Sequence, residues 1–143
     1  MLLAVFVFGV VGTGTELILL EHTEDTLQWI PLILMSLGLV VAAWCAIRPG
    51  RTGMRTMQAL MALYVASGLV GLYLHYRGNV EFELEMYPSM AGLQLFWESI
   101  RGATPTLSPG TMVVLGLVGW VYTFRHPATV RRDRAADANT GAV

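Results

Sequence analysis

An all-α integral membrane protein of four transmembrane helices is the fold class that this chain of 143 residues predicts. Three observations carry it. Hydrophobic residues make up 55% of the chain and charged residues only 13%, about half the charge share usual in a soluble domain. Mean hydropathy is +0.57, more apolar surface than so short a chain can bury in a water-facing globule. Four separate stretches are apolar enough to cross a hydrocarbon core of about 30 Å, which takes about 20 helical residues, fewer at a thin site.

The first stretch covers residues 1–20, where Thr13, Thr15 and Glu16 are the polar interruptions. No basic lead precedes it, and Glu21-His22-Thr23-Glu24-Asp25 follows where a small-residue cleavage site would stand, so it reads as a retained anchor. The second covers 30–47, with Pro31 in the first turn, where a missing N–H costs least, and Arg48-Pro49-Gly50 as its stop. The third covers 56–76. The fourth covers 109–124, with Ser108 as N-cap and Pro109 as first helical residue. Together residues 1–126 make one membrane domain, and the small, polar residues 127–143 make a disordered basic tail.

Basic residues next to spans are retained on the cytoplasmic side. Arg48, Arg51 and Arg55 lie between the second and third spans, and Arg125, Arg131, Arg132 and Arg134 follow the fourth; Arg77 and Arg101 lie opposite. The acids reverse this, with Glu16, Glu21, Glu24, Asp25, Glu81, Glu83, Glu85 and Glu98 on the other face. Both termini are therefore expected in the cytoplasm, which requires an even number of spans and agrees with four. Nine arginines without a lysine suggest a GC-rich coding genome, hence a bacterial inner membrane.

Residues 77–108 form a long outer loop, and long loops are either functional or disordered. Order is expected here. Val80-Glu81-Phe82-Glu83-Leu84-Glu85-Met86 alternates apolar and acidic at period two, the pattern of a short extended segment with three carboxylates on one face. From Ser89 to Arg101 the period becomes helical: Leu93, Phe96, Trp97 and Ile100 share one side, predicting an interfacial amphipathic helix that lies on the outer leaflet or on a partner's apolar surface.

Candidate chemistry is sparse. Glu16 is the acid within a span, and its spacing from Gly9 and Gly12 puts all three on one side, so Glu16 is expected to point into the bundle as an ion or proton site. The plainer reading is a carboxylate close enough to the span end to reach water. His22 and His75, at the same-side ends of spans one and three, are candidates for a haem or, with Glu81, Glu83 and Glu85, for a divalent metal, against the plainer reading of a solvated acidic rim. No Cys pair, Glu-x-x-His pair or catalytic motif accompanies them, and Cys45 stands alone. Stripes of small residues mark helix packing: Gly38, Ala42 and Ala46; Ala62 and Ala66; Gly68 and Gly71; Gly116 and Gly119.

Net charge of −1 argues against nucleic acid. The leading expectation is a non-enzymatic accessory or assembly subunit of a larger membrane complex, its partners being lipid and other subunits or further copies of itself. A small cation- or proton-coupled transporter or channel using Glu16 is the alternative, and a haem- or metal-binding protein using His22 and His75 is the third.

Overall fold

The computed structural model describes residues 1–124 and 126, and regular structure among them is helical throughout. The elements are α1 (Leu2–Leu19), a 3-10 turn (Thr26–Gln28), α2 (Trp29–Ile47), α3 (Arg51–Met86), α4 (Gly92–Arg101) and α5 (Gly110–Thr123). α1, α2 with its leading turn, and α3 are each long and apolar enough to cross a membrane; α5 is apolar but only 14 residues long. Arg125 and the tail expected at 127–143 lie outside the described residues.

α3 is the long member. Its 36 residues span about 54 Å at 1.5 Å per residue, so it must project beyond a core of about 30 Å. The extended segment expected over 80–86 is, in fact, the end of this helix. A strand needs a neighbouring strand for its N–H and C=O groups, whereas helix continues to satisfy them within the segment, and Glu, Leu and Met are strong helix formers. The run ends at Tyr87, which Pro88 holds out of helical geometry. In helical geometry the three carboxylates no longer share a face: Glu81 and Glu85 stand one turn apart, with Glu83 turned away.

Close contacts give the order of packing. Phe6 reaches Gly38 while Met35 lies beside Gly14, so α1 and α2 run antiparallel; Tyr64 reaches Gly38 and Cys45 lies beside Gly53, so α2 and α3 do too. α5 returns along α3, with Pro109 against Gly71, Val113 against Gly68, Gly116 against Val65 and Gly119 against Met61. Gly9 against Leu115 brings α1 to α5 and closes a four-helix ring. The core is rich in methionine, with Met35, Met54, Met57, Met61 and Met112 buried around Phe6 and Tyr64, whose rings stand 5.9 Å apart. Unbranched thioethers suit the irregular gaps between helices that touch at glycine. Gly38 leaves room for the Tyr64 hydroxyl, which donates to the Leu34 carbonyl at 3.1 Å.

The outside of the ring is apolar as well: Phe8, Ile33, Val40, Leu63, Val70, Leu117 and Val121 are exposed. Thr15 and Ser36 on these helices donate to the carbonyls of Val11 and Leu32, the usual way a hydroxyl is satisfied where water is scarce. Of the small residues expected at helix contacts, Gly9, Gly38, Gly68, Gly71, Gly116 and Gly119 meet a neighbouring helix and Ala42 is buried. Gly12, Ala46, Ala62 and Ala66 are instead exposed on the outer surface. Spacing defines a stripe, but only the neighbours decide whether it faces in.

A Cβ added at Gly68 would lie 2.9 Å from both the Pro109 oxygen and the Val113 nitrogen, backbone atoms that cannot step aside cheaply. Gly68→Ala should therefore cost about 1–3 kcal/mol. Gly12→Ala meets nothing within 4 Å and should gain about 0.5–1 kcal/mol of helix stability, both read from thermal unfolding in detergent by circular dichroism.

Candidate functional site

Arg48, Arg51 and Arg55 lie at one end of the ring, here the arginine end; α4 and the projecting part of α3 form the other, the cap end. The residue that organises the cap is Asn79, on α3 and only 1% exposed. Its Nδ2 donates to the Ser99 carbonyl at 2.9 Å, the Thr104 carbonyl at 2.7 Å and the Thr106 hydroxyl at 2.9 Å, sharing two hydrogens among three acceptors. Its Oδ1 accepts from the Thr104 N–H at 3.1 Å, and Thr106 adds a bond to the Ser99 carbonyl at 3.1 Å. Ser99 lies in the last turn of α4, where carbonyls have no partner within the helix, so two side chains from elsewhere do the work of a C-cap.

This clasp sets which way α4 faces. Its inner side is small and polar, with Ser99 buried and Gly102 so close that a Cβ would lie 2.5 Å from Asn79 Cγ. The opposite side is apolar and turned out: Leu93 is 80%, Phe96 43% and Trp97 50% exposed. Ile100 is half-buried. Phe96 also touches Tyr76, with ring centres 6.0 Å apart, and the Arg101 guanidinium sits over Trp97 at 5.0 Å. The amphipathic helix expected from Ser89 to Arg101 is present from Gly92. What the periodicity could not supply was Asn79, Ser99, Gly102, Thr104 and Thr106; the available signal was one amide inside an otherwise apolar and acidic segment, followed downstream by a Ser/Thr-rich turn.

The return turn from Gly102 to Pro109 lies along α3 beside Gly71, His75 and Asn79. α5 spans only about 21 Å at 1.5 Å per residue, and this turn continues its path toward the cap. Several of its backbone groups are bonded by the Asn79 carboxamide, by His75 and by its own bonds from the Ser108 N–H to Pro105 and from the Gly110 N–H to Leu107.

The candidate ligands separate into two groups. His22 and His75 do meet, with ring centres 6.2 Å apart and planes at 53°. His22 follows Glu21, a non-glycine residue at φ 52° that closes α1 through Glu21 N–H to Ile18 O and His22 N–H to Leu17 O. His75 Nδ1 lies 3.2 Å from the Pro105 carbonyl. Burial, and then the charge on His75, holds the His22 imidazole below its ordinary pKa. Glu81, Glu83 and Glu85 do not join them. Glu81 pairs with Arg77 at 2.8 Å in an exposed i,i+4 ion pair, Glu85 is exposed, and Glu83 lines a cleft of about 410 Å³ with Tyr87, Ser89, Met90, Gln94 and Glu98. Among the described residues no group of three or more His, Cys, Asp or Glu side chains is arranged to hold a metal ion.

Glu16 is exposed, not turned into the bundle as expected. The side of α1 that packs inward carries Phe6 and Val10, supported by Leu3, Val7 and Leu17, and this leaves Glu16 and Gly12 facing away. Cys45 is a buried free thiol in the core.

No protein-family model, curated protein or solved structure matches this chain. Its described residues define the class: all-helical in their regular structure, with three helices apolar and long enough to span a membrane.

Two outcomes follow from the cap. Asn79→Ala removes the partner of the Thr104 carbonyl and N–H and leaves the Ser99 carbonyl and the Thr106 hydroxyl only each other; at about 1–3 kcal/mol for a buried group left without a partner, α4 should loosen, read as new protease cleavage between residues 87 and 108 while the ring stays helical. Because the folded pKa of His22 is lowered, the unfolded chain binds its proton first, so stability is full above about pH 6.5 and falls as pH drops below it. His22→Gln should flatten that decline between pH 7.5 and 5.5 in thermal unfolding.

Proposed function

We propose that this chain is a non-enzymatic accessory or assembly subunit of a larger complex in a bacterial inner membrane. The observation that carries the reading is α4, an amphipathic helix whose C-terminal end is held by the Asn79 clasp through the Ser99 carbonyl and whose Leu93, Phe96 and Trp97 are left exposed. A helix that bound only its own chain would bury that face. Ala62 and Ala66, exposed along α3, and Gly12, exposed along α1, offer close approach to a neighbouring helix at membrane depth. Glu16 stands on the same outward side of α1 as Gly12, and a carboxylate facing hydrocarbon is costly enough to favour a protein neighbour over lipid.

Orientation follows from charge. α1, α2, α3 and α5, the last extended by the return turn, form four crossings with the arginine end in the cytoplasm and the acidic cap outside. The same end holds the start of α1 and the end of α5, so both termini face the cytoplasm. The reading of Glu16 as the ion or proton site of a small transporter has weaker support, since a path lined by it would run outside the ring.

The test is purification from native membranes in mild detergent, with a photo-crosslinking residue placed at Leu93 or Trp97. A stoichiometric larger partner crosslinked from those positions, and lost on Phe96→Asn with the ring still folded, is the expected result. Recovery as copies of this chain alone, or a partner that never crosslinks from α4, would overturn it.

A further inference from the structure

The two imidazoles at the cap end carry an inference independent of any partner subunit. We propose that His22 and His75 together bind one borderline divalent transition-metal ion, of the zinc or nickel class, with water in the remaining positions. Three features of the pair argue for it. First, the rings come from separate elements, the turn after α1 and the body of α3, and meet at 6.2 Å between centres. A metal–nitrogen bond of about 2.0–2.1 Å and a further distance of about 1 Å to the ring centre put two ligating rings at about 5 Å for a tetrahedral angle and about 6 Å when opposed. The observed separation is that of the opposed arrangement, and a tetrahedral ion would draw the two ring centres about 1 Å closer.

Second, the tautomer of His75 is decided. The Pro105 carbonyl can only accept, so His75 Nδ1 carries the hydrogen that reaches it at 3.2 Å, and the lone pair of the neutral ring is on Nε2. A ligating imidazole is typically oriented in this manner, its second nitrogen donating to a carbonyl or carboxylate. Third, the left-handed Glu21 that closes α1 is followed at once by His22, so the helix-ending turn itself carries that imidazole to the His75 ring.

Imidazole nitrogens select the class of ion: zinc, nickel, copper and iron in preference to calcium or magnesium, which require oxygen ligands. Glu21, Glu24 and Asp25 in the same turn make the approach to the pair negative for an incoming cation. With two protein ligands and not four, the ion is exchangeable, which suits a sensing or delivery role more than a structural one.

The experiment uses the full chain in detergent micelles, stripped with EDTA and titrated with Zn²⁺ by calorimetry. One Zn²⁺ per chain is expected, with affinity falling about tenfold or more in His22→Ala and in His75→Ala. Mg²⁺ should give no binding. A second measurement needs no variant: Zn²⁺ should protect His22 and His75 of the wild-type chain from diethyl pyrocarbonate, while His126, on the chain beyond α5, stays as reactive as before. Unchanged Zn²⁺ affinity in both variants, equal modification of His22 and His75 with and without Zn²⁺, or a Soret band in the protein as purified would each overturn the proposal, the last in favour of haem.

Discussion

One buried carboxamide holds the cap of this protein together. Asn79, itself buried, contributes a donor and an acceptor to three segments that depend on them: the end of α4, the return turn and the last part of α3. Each such bond adds only about 0.5–1.5 kcal/mol net, but a buried group left without a partner costs about 1–3 kcal/mol. The asymmetry makes the clasp closer to all-or-none than gradual. It also explains Gly102, since any side chain there would displace the amide that the rest of the cap requires.

The ring below is held by a different kind of contact. α3 and α5 approach at Gly68, Gly71, Gly116 and Gly119, and the space that backbone contact leaves irregular is filled by methionines from α2, α3 and α5. In lipid there is little hydrophobic gain in bringing apolar helices together, so close packing at small residues supplies much of the association. The seam matches α3 only from about Met57 to Gly71, and beyond it the return turn continues along α3, bonded to His75 and Asn79.

The clasp leaves two things at the cap that the packing of the ring does not need. One is the outward apolar side of α4, which is presented and not buried; the other is the meeting of His22 with His75. Both depend on the length of α3, since its last turns carry Asn79 and support α4. The acidic residues of the same region are distributed otherwise. Glu81 is held by Arg77, Glu83 opens onto a polar cleft and Glu85 faces solvent, so they act as a charged rim and not as one ligand set.

Much of this was legible in the residues alone. Apolar runs, their Pro and Gly stops and the amphipathic period from Leu93 to Ile100 are local properties, and they determined that the chain is helical, rich in membrane-length segments and equipped with an outward-suited helix. The two-residue alternation from Val80 to Met86 misled because period is only half of a strand: without a neighbouring strand the backbone satisfies itself as helix, and α3 runs on to Met86. Gly9, Gly12 and Glu16 lie on neighbouring positions of α1, but Phe6 and Val10 take the inward face, Gly9 meets Leu115 at its edge, and Gly12 and Glu16 are left exposed, a competition decided by what α2 and α5 present. Asn79 was silent because one amide carries no period, and its weight comes from Ser99, Thr104 and Thr106, which lie 20 to 27 residues away along the chain. Sequence by itself determined where helices form and which are apolar; tertiary structure decided which faces meet, because burial belongs to pairs of surfaces and no single segment encodes its partner.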